Sequence, residues 1–381
     1  MAASNAPLDH RFMSVALTLG RRGLGNTWPN PAVGAVVVRH DGAEAVIVGR
    51  GWTQPGGRPH AETEALRRAG PAARGATLYA TLEPCSHHGK TPPCTDAIIA
   101  AEIARVVSAI EDPNREVAGR GYALLRAAGI AVDVGVGTEE ARRAHAGHIR
   151  RVCDGRPHVT LKLAVSPDGK AGLAGRKPAP ITGDAARAKV HLMRAMNDAI
   201  LIGIGTARAD DPQLTCRLPG MATHSPVRVV LDTGLRLPVT GALVRSARDT
   251  PLWVIAGAGA PAEAEAALVA PGVEVFRLAA SHATALPAMG GRLDIMAVVR
   301  LLAERGITRL MVEGGPTIAA SFVAADLVDE AALLRGPNPI GPNGIDALEA
   351  MPLTALTGSP RLRSRGIEAL GEDTIETFER A

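Results

Sequence analysis

The chain has 381 residues, enough for two domains, and its 46% apolar and 21% charged content excludes a disordered or low-complexity protein. A net charge of +4 and only 2% aromatic residues leave neither the dense basic run nor the stacking platforms of a nucleic-acid binder. No stretch nears the roughly 18 apolar residues of a membrane span, and the apolar residues at 15–19 lack the layout of a leader, so the expectation is a cytoplasmic protein with its four cysteines reduced.

Residues 8–19 have helical spacing. An apolar β-branched run at 33–38 and a second strand at 45–48 flank the turn signal Asp41-Gly42. A helix over 61–69 stops at Gly70-Pro71. A strand at 76–81, a helix at 95–101, a strand at 104–110, a helix at 121–128 and a strand at 130–136 follow. This alternation predicts an α/β layer with a mostly parallel sheet. A charged helical stretch over 138–151 leads into Gly155-Arg156-Pro157, which sets domains of 1–150 and 151–381. The second domain restarts with a strand at 158–165. Further strands are expected at 199–204, 227–231, 252–255, 273–275 and 309–312, with helices at 184–196 and 295–304. The Ala-rich segment 256–270 reads as helix plus surface loop.

His60-Ala61-Glu62, then Pro84-Cys85, then Cys94 carry the strongest chemical signal. An imidazole and two thiolates are three zinc ligands, and a catalytic zinc keeps its fourth position for water, which it acidifies toward neutrality. Glu62, two residues after His60 at a predicted helix start, can sit beside the metal without binding it. There it can carry a proton from the water to a ring nitrogen and a leaving amine. The competing reading is a structural zinc closed by His87 or His88, which would leave Glu62 without purpose.

Asn30, between two prolines, suits either the edge of a pyrimidine or a plain turn. His87 and Lys90 lie on the loop between the two cysteines, facing substrate or solvent. Asp112 and Asn114 follow a strand end, where α/β sites collect ligands, or else form a turn. Gly203-Ile204-Gly205-Thr206 and Glu313-Gly314-Gly315-Pro316-Thr317 each follow a strand. The second opens a helix whose N–H groups suit a phosphate, with a simple glycine turn as the equal alternative.

Zinc deaminases of nucleobases show H-x-E followed by P-C-x-x-C. The cysteines here are further apart, and TLEPCSHHGKTPPC as a whole resembles the deaminase half of the bifunctional riboflavin-biosynthesis deaminase–reductases. PNPAVGAVVV at 29–38, DPN at 112–114 and AGRG at 118–121 are similar to the same half. LKLAVSPDGK at 161–170, ITGDAARAKVHLMRA at 181–195, GTARADDPQLTCR at 205–217 and VEGGPTIAAS at 312–321 resemble the reductase half, so the likeness runs over nearly the whole chain.

This resemblance implies an N-terminal cytidine-deaminase-like three-layer α/β/α domain and a C-terminal dihydrofolate-reductase-like α/β domain. The implied activity is zinc-dependent hydrolytic deamination of a phosphoribosylamino-diaminopyrimidine, then reduction of its ribosyl group to ribityl by NADPH. The partner is a small phosphorylated pyrimidine rather than nucleic acid or membrane, and the assembly a homo-oligomer. Zinc falls to His60, Cys85 and Cys94, with Glu62 catalytic. NADPH falls to Ala164, Thr206, Asp210, Thr233 and the loop Gly315, Pro316, Thr317, Ile318, Ala319, Ala320 and Ser321. Substrate falls to Asn30, Lys162, Arg194, Leu214, Arg217 and Glu313, with Arg194 and Arg217 on its phosphate, whose geometry guanidinium forks match.

One departure stands out. The family carries Ser and then Trp just before Ile181-Thr182, where this chain has Pro178 and Pro180. Pro167 also replaces a usual Leu. Proline neither stacks nor donates as Trp does, so an altered grip on NADPH or a weakened reductase half is expected, without loss of fold. The alternative classes are a zinc deaminase of nucleic-acid bases, which would leave the second domain idle, and a non-enzymatic zinc scaffold.

Overall fold

The computed structural model describes residues 6–41, 44–89, 91–279, 293–349 and 351–381. The chain separates into two compact units, Met1–Arg156 and Pro157–Ala381, so the helix that contains position 150 stays whole within the first.

The first unit runs α1 (Ala6–Gly20), β1 (Gly34–Asp41), β2 (Glu44–Trp52), α2 (Ala61–Ala69), β3 (Thr77–Ala80), α3 (Cys94–Ala100), β4 (Arg105–Ser108), α4 (Arg120–Ala127), β5 (Ala131–Val134), α5 (Thr138–Ala144) and α6 (Ala146–Asp154). Its five strands lie in the order β2-β1-β3-β4-β5. β3, β4 and β5 are parallel, but β1 is antiparallel to both β2 and β3. The mostly parallel sheet expected from the alternation therefore holds for one half only, because β1 and β2 follow one another with no helix between them. The helix expected over 138–151 breaks at His145 (φ −96°, ψ 11°). The buried His145 ring meets Thr81 Oγ1 at 3.0 Å.

Close backbone approach at two glycines fixes the layers. A Cβ on Gly34 would stand 1.8 Å from the carbonyl oxygen of Ala16 in α1. The next residue, Ala35, pairs with Gly51 of β2, where a Cβ would stand 2.1 Å from the carbonyl oxygen of Ala61 in α2. Successive strand residues face opposite sides, so α1 and α2 cover opposite faces of a three-layer α/β/α unit. Val36, Val37, Leu78, Val106 and Val107 are fully buried in its core, and burying each contributes roughly 1.5–3 kcal/mol.

The second unit runs β6 (His158–Val165), β7 (Lys170–Gly172), α7 (Asp184–Ala195), β8 (Ala199–Gly203), α8 (Ile204–Asp210), β9 (Val227–Leu231), α9 (Ala242–Arg245), β10 (Leu252–Gly257), α10 (Ala262–Val269) and β11 (Glu274–Leu278). It continues through α11 (Ile295–Glu304), β12 (Arg309–Val312), α12 (Pro316–Ala324), β13 (Glu330–Arg335), β14 (Ile345–Asp346), α13 (Thr354–Thr357), β15 (Leu362–Leu370) and β16 (Asp373–Arg380). The main sheet has the order β11-β10-β9-β8-β12-β6-β13-β16-β15. Strands β11 through β13 of that order are parallel, and β16 and β15 close the edge as an antiparallel hairpin. Ile200, Leu201, Val229, Val230, Val254 and Ile255 are fully buried, as the continuous apolar runs of parallel strands covered on both faces require. Among the described residues no helix is long and apolar enough to cross a membrane.

Candidate active sites

Three chain segments converge in the first unit. His60 caps α2 with extended backbone (φ −70°, ψ 160°), Cys85 lies on the segment after β3, and Cys94 opens α3. His60 Nδ1 is 3.6 Å from Cys85 Sγ and 3.4 Å from Cys94 Sγ, and all three donor atoms lie within 4.8 Å of one another. Bonds of about 2.3 Å to sulfur and about 2.0–2.1 Å to nitrogen, arranged tetrahedrally, separate N from S by roughly 3.5 Å. The donors thus fit a zinc ion in both chemistry and spacing. Among the described residues neither His87 nor His88 joins the cluster; His88 instead approaches Asp96 at 3.9 Å. The donor set stops at three, which leaves a tetrahedral ion one position for water.

The Cys94 N–H donates to Cys85 Sγ at 3.2 Å. A hydrogen bond from the Cys94 thiol is the main force pulling the Cys85 thiol down to about 4, with His60 adding to it, while the same bond and burial push Cys94 well up. A divalent cation held by these donors would favour both sulfurs as thiolates. Glu62, in the first turn of α2, is only 3% exposed. Burial, then the charge on Cys85, pushes its carboxyl up to about 7.

Asn30 Nδ2 donates to the carbonyl oxygen of Gly57 at 3.1 Å, which holds Asn30 beside the segment leading to His60. Asp112 Oδ1 accepts the Asn114 N–H at 2.9 Å and Asn114 Oδ1 accepts the Glu116 N–H at 3.1 Å, so both side chains shape this turn. His87 is exposed, and Lys90 lies outside the described residues. Two neighbours escaped the sequence reading. Glu83, 5% exposed, accepts the N–H groups of Asp112, Gly119 and Gly121 at 3.1, 2.9 and 2.8 Å. Arg58, two residues before His60, donates from Nη1 to Thr91 Oγ1 at 2.5 Å. Both stand two residues from a cysteine or histidine ligand, the one signal that could have singled them out.

In the second unit a cleft of about 1020 Å³ opens at the carboxyl ends of β9, β8, β12 and β6, where open parallel sheets bind ligands. It gathers Lys162, Ala164, Arg194, Thr206, Asp210, Leu214, Thr233, Glu313, Gly315, Pro316, Thr317, Ile318 and Ser321. Ala319 and Ala320 are buried in α12, and Arg217 is exposed; none of the three lines the cleft. Pro178 and Pro180 do line it, as do Arg176, Arg187 and Arg236, which the sequence reading missed because no motif contains them with a role.

Glu313, just past β12, is the centre of this cleft's polar chemistry. Arg194 grips it with two parallel hydrogen bonds, Nε to Oε1 at 2.7 Å and Nη2 to Oε2 at 2.9 Å, and Lys162 Nζ lies 3.9 Å from Oε2. Burial alone would raise the Glu313 carboxyl, but Arg194 and Lys162 outweigh it and hold it below the usual range. Burial draws the Lys162 ammonium down from the usual lysine value, against the pull of Glu313. The guanidinium expected on a phosphate thus has a carboxylate as its neighbour. At the start of α12 the Gly315 N–H donates to Thr206 Oγ1 at 3.0 Å, which ties the β8 and β12 loops together.

Each unit matches a known family model. Residues 7–110 match the cytidine and deoxycytidylate deaminase zinc-binding region, and residues 157–375 match the RibD C-terminal domain. The chain is 42% identical over 334 residues to riboflavin biosynthesis protein RibD of Bacillus amyloliquefaciens, covering 88% of this chain and 86% of that one. It is 37% identical over 376 residues to RibD of Escherichia coli (strain K12), covering 96% and 97%. Among solved structures, Acinetobacter baumannii RibD superposes with a TM-score of 0.85 at 32% identity, with 99% of each chain covered. A diaminohydroxyphosphoribosylaminopyrimidine deaminase/5-amino-6-(5-phosphoribosylamino)uracil reductase from Thermotoga maritima gives 0.82 at 34% identity, covering 99% and 100%. The chain belongs to the RibD family of riboflavin biosynthesis, as a bifunctional enzyme with a zinc deaminase domain followed by an NADPH-using reductase domain.

Proposed function

We propose that the first unit removes an amino group from a diaminohydroxy-phosphoribosylamino-pyrimidine, and that the second reduces the ribosyl group of the product to ribityl. The observation that carries this reading is the three-donor cluster of His60, Cys85 and Cys94 with the buried, unligated Glu62 beside it. Zinc, when bound, supplies a Lewis acid that makes water nucleophilic at neutral pH. Glu62 takes one proton of the attacking water and hands it to the ring nitrogen; it then carries the second proton, from the hydroxyl of the adduct, to the amine as the C–N bond breaks, so that ammonia leaves and a carbonyl remains. Asn30, held at Gly57, orients the pyrimidine edge.

In the second unit NADPH, when bound, supplies hydride. Thr206, Asp210, Thr233 and, at the start of α12, Gly315, Pro316, Thr317, Ile318 and Ser321 hold it, with Ala164 on the floor of the cleft. Lys162 protonates the sugar oxygen as the ribose opens, so that its first carbon can accept hydride. Glu313 keeps Lys162 in place, and Arg194 keeps Glu313 in place. Leu214 packs against the substrate, and Arg217 stands outside the cleft as a partner for the phosphate. We place the enzyme in the cytoplasm as a homo-oligomer that acts on small molecules.

A coupled assay tests the whole reading. The phosphoribosyl pyrimidine is supplied with and without NADPH, alongside zinc analysis. Ammonia release in both arms and NADPH oxidation in one support it. Release of ammonia from free nucleobases or nucleic acid but not from this substrate would overturn it.

A further inference from the structure

The substrate proposed above carries a phosphate through both reactions, yet the side chains discussed so far meet that charge in the second unit only. Within the first unit the acids of the site are committed: Glu62 is buried beside the metal ligands, Asp96 faces His88, and Asp112 shapes its turn and faces His148 at 3.9 Å. Arg58 is different. It is half-buried, and among the described residues its guanidinium meets no carboxylate. Among the described residues its side chain hydrogen-bonds only the neutral hydroxyl of Thr91, which does not offset its charge. The Arg58–Thr91 contact is exposed, so the guanidinium can meet an anion arriving from solvent.

Its placement is fixed from both sides. The Gly57 carbonyl accepts from Asn30 Nδ2 at 3.1 Å, and the Pro59 carbonyl accepts from the Gln54 N–H at 3.1 Å. Arg58 is thereby pinned between two anchored peptides and directly before the metal ligand His60. Its head spans to the loop that joins Cys85 to Cys94: Nη1 reaches Thr91, and Nη2 lies 3.5 Å from where a side chain on Gly89 would begin. The absence of a side chain at Gly89 leaves that edge of the guanidinium uncovered, with donors on Nε and Nη2 that no described residue takes.

We propose that Arg58 is a specificity-determining residue of the deaminase site, and that it takes the substrate's phosphate at the rim beside Gly89 and Thr91. A planar fork with two free donors suits a phosphate better than a point charge does. The inference rests on the proposed phosphorylated pyrimidine as substrate. It gives the deaminase unit its own means of choosing that substrate over the dephosphorylated riboside.

The test uses the full, zinc-loaded chain without NADPH, so that only ammonia release is read. The ratio of kcat/KM for the phosphorylated pyrimidine to that for its riboside is measured in the unmodified enzyme, Arg58→Ala, Arg58→Lys and Thr91→Val. Loss of a charge-assisted hydrogen-bonded contact predicts a fall in that ratio of roughly 10- to 100-fold in Arg58→Ala, carried by KM. Arg58→Lys recovers part of it, and Thr91→Val leaves the ratio in place. Inorganic phosphate competes with the phosphorylated substrate in the unmodified enzyme and loses that competition in Arg58→Ala. A ratio unchanged in an active Arg58→Ala enzyme, or the same change in Thr91→Val, means that Arg58 only staples the loop and overturns the inference. If the unmodified enzyme does not deaminate the phosphorylated pyrimidine, the proposed function falls with it, a result read from the first arm alone.

Discussion

Arg194 and Glu313 form a two-bonded pair with 12% and 8% of their side chains exposed, and Lys162 stands at the pair's edge. A guanidinium so placed keeps a buried carboxylate charged in a cleft that must also accept an anionic substrate. Removing one partner strands the other charge, at a cost of roughly 3–5 kcal/mol. Arg194→Ala should therefore destabilise the second unit by about that much in chemical denaturation and lower NADPH oxidation. Arg194→Ala combined with Glu313→Ala should lose less than the sum of the single changes, with a coupling of roughly 0.5–3 kcal/mol. Strict additivity would show that the two side chains act independently.

Glu83 ties the segment bearing Cys85 to the start of α4. A Cβ on Gly121 would lie 2.3 Å from the Pro84 carbonyl oxygen, so the contact admits no slack. Glu83→Gln places an amide N–H against a backbone N–H, and a buried donor without a partner costs roughly 1–3 kcal/mol. We expect zinc affinity, measured by competition with a chelator, to fall about tenfold or more, while NADPH oxidation by the second unit is untouched. Unchanged zinc affinity would make Glu83 a loop anchor without bearing on the metal.

Pro178 and Pro180 face the reductase cleft. Pro180→Trp restores an aromatic surface there, and an aromatic contact is worth roughly 0.5–1.5 kcal/mol. NADPH should bind about two- to tenfold more tightly by fluorescence titration. An unaltered Kd would show that this segment does not touch the cofactor.

Asp9 gives the first unit a pH signature. Its carboxylate, 7% exposed, accepts from Tyr79 at 2.7 Å and from both Nη atoms of Arg105 at 2.8 Å. Burial works to raise its pKa, but the hydrogen bonds of Arg105 and Tyr79 outweigh it, and the carboxyl titrates below the ordinary value. A depressed pKa contributes stability that is present above the unfolded value of about 3.9 and fades as pH falls through it toward the folded value. Asp9→Asn should thus be less stable than the unmodified chain at pH 7, by roughly 1–3 kcal/mol, with the gap closing below about pH 4. A gap that widens on acidification would reverse the sign of this argument.

Much of this architecture is legible in the sequence where one physical signal dominates. The apolar run of β6 and the capped amphipathic pattern of α2 fall at their expected limits, His158–Val165 and Ala61–Ala69. The edge hairpin escaped notice because β15 is exposed along most of its length and shows no apolar alternation. The antiparallel β1–β2 pair escaped because a count of strands and helices carries no direction. The metal cluster was visible because ligand chemistry limits residue types and spacing. The Arg194–Glu313 pair was not, since 119 residues separate them and either side chain suits solvent equally well. Glu83 works by holding the backbone N–H groups of Asp112, Gly119 and Gly121, and Arg58 matters only once the fold brings it to Thr91, neither of which residue identity encodes.

The central claim is tested most directly by Glu62→Gln, assayed for bound zinc and for ammonia release from the phosphoribosyl pyrimidine. With the donors of His60, Cys85 and Cys94 intact, the variant should keep one zinc per chain. Without its proton carrier it should lose deamination by roughly 100- to 10,000-fold, with NADPH-dependent reduction of the already deaminated substrate preserved. Zinc retained together with undiminished ammonia release would contradict the account.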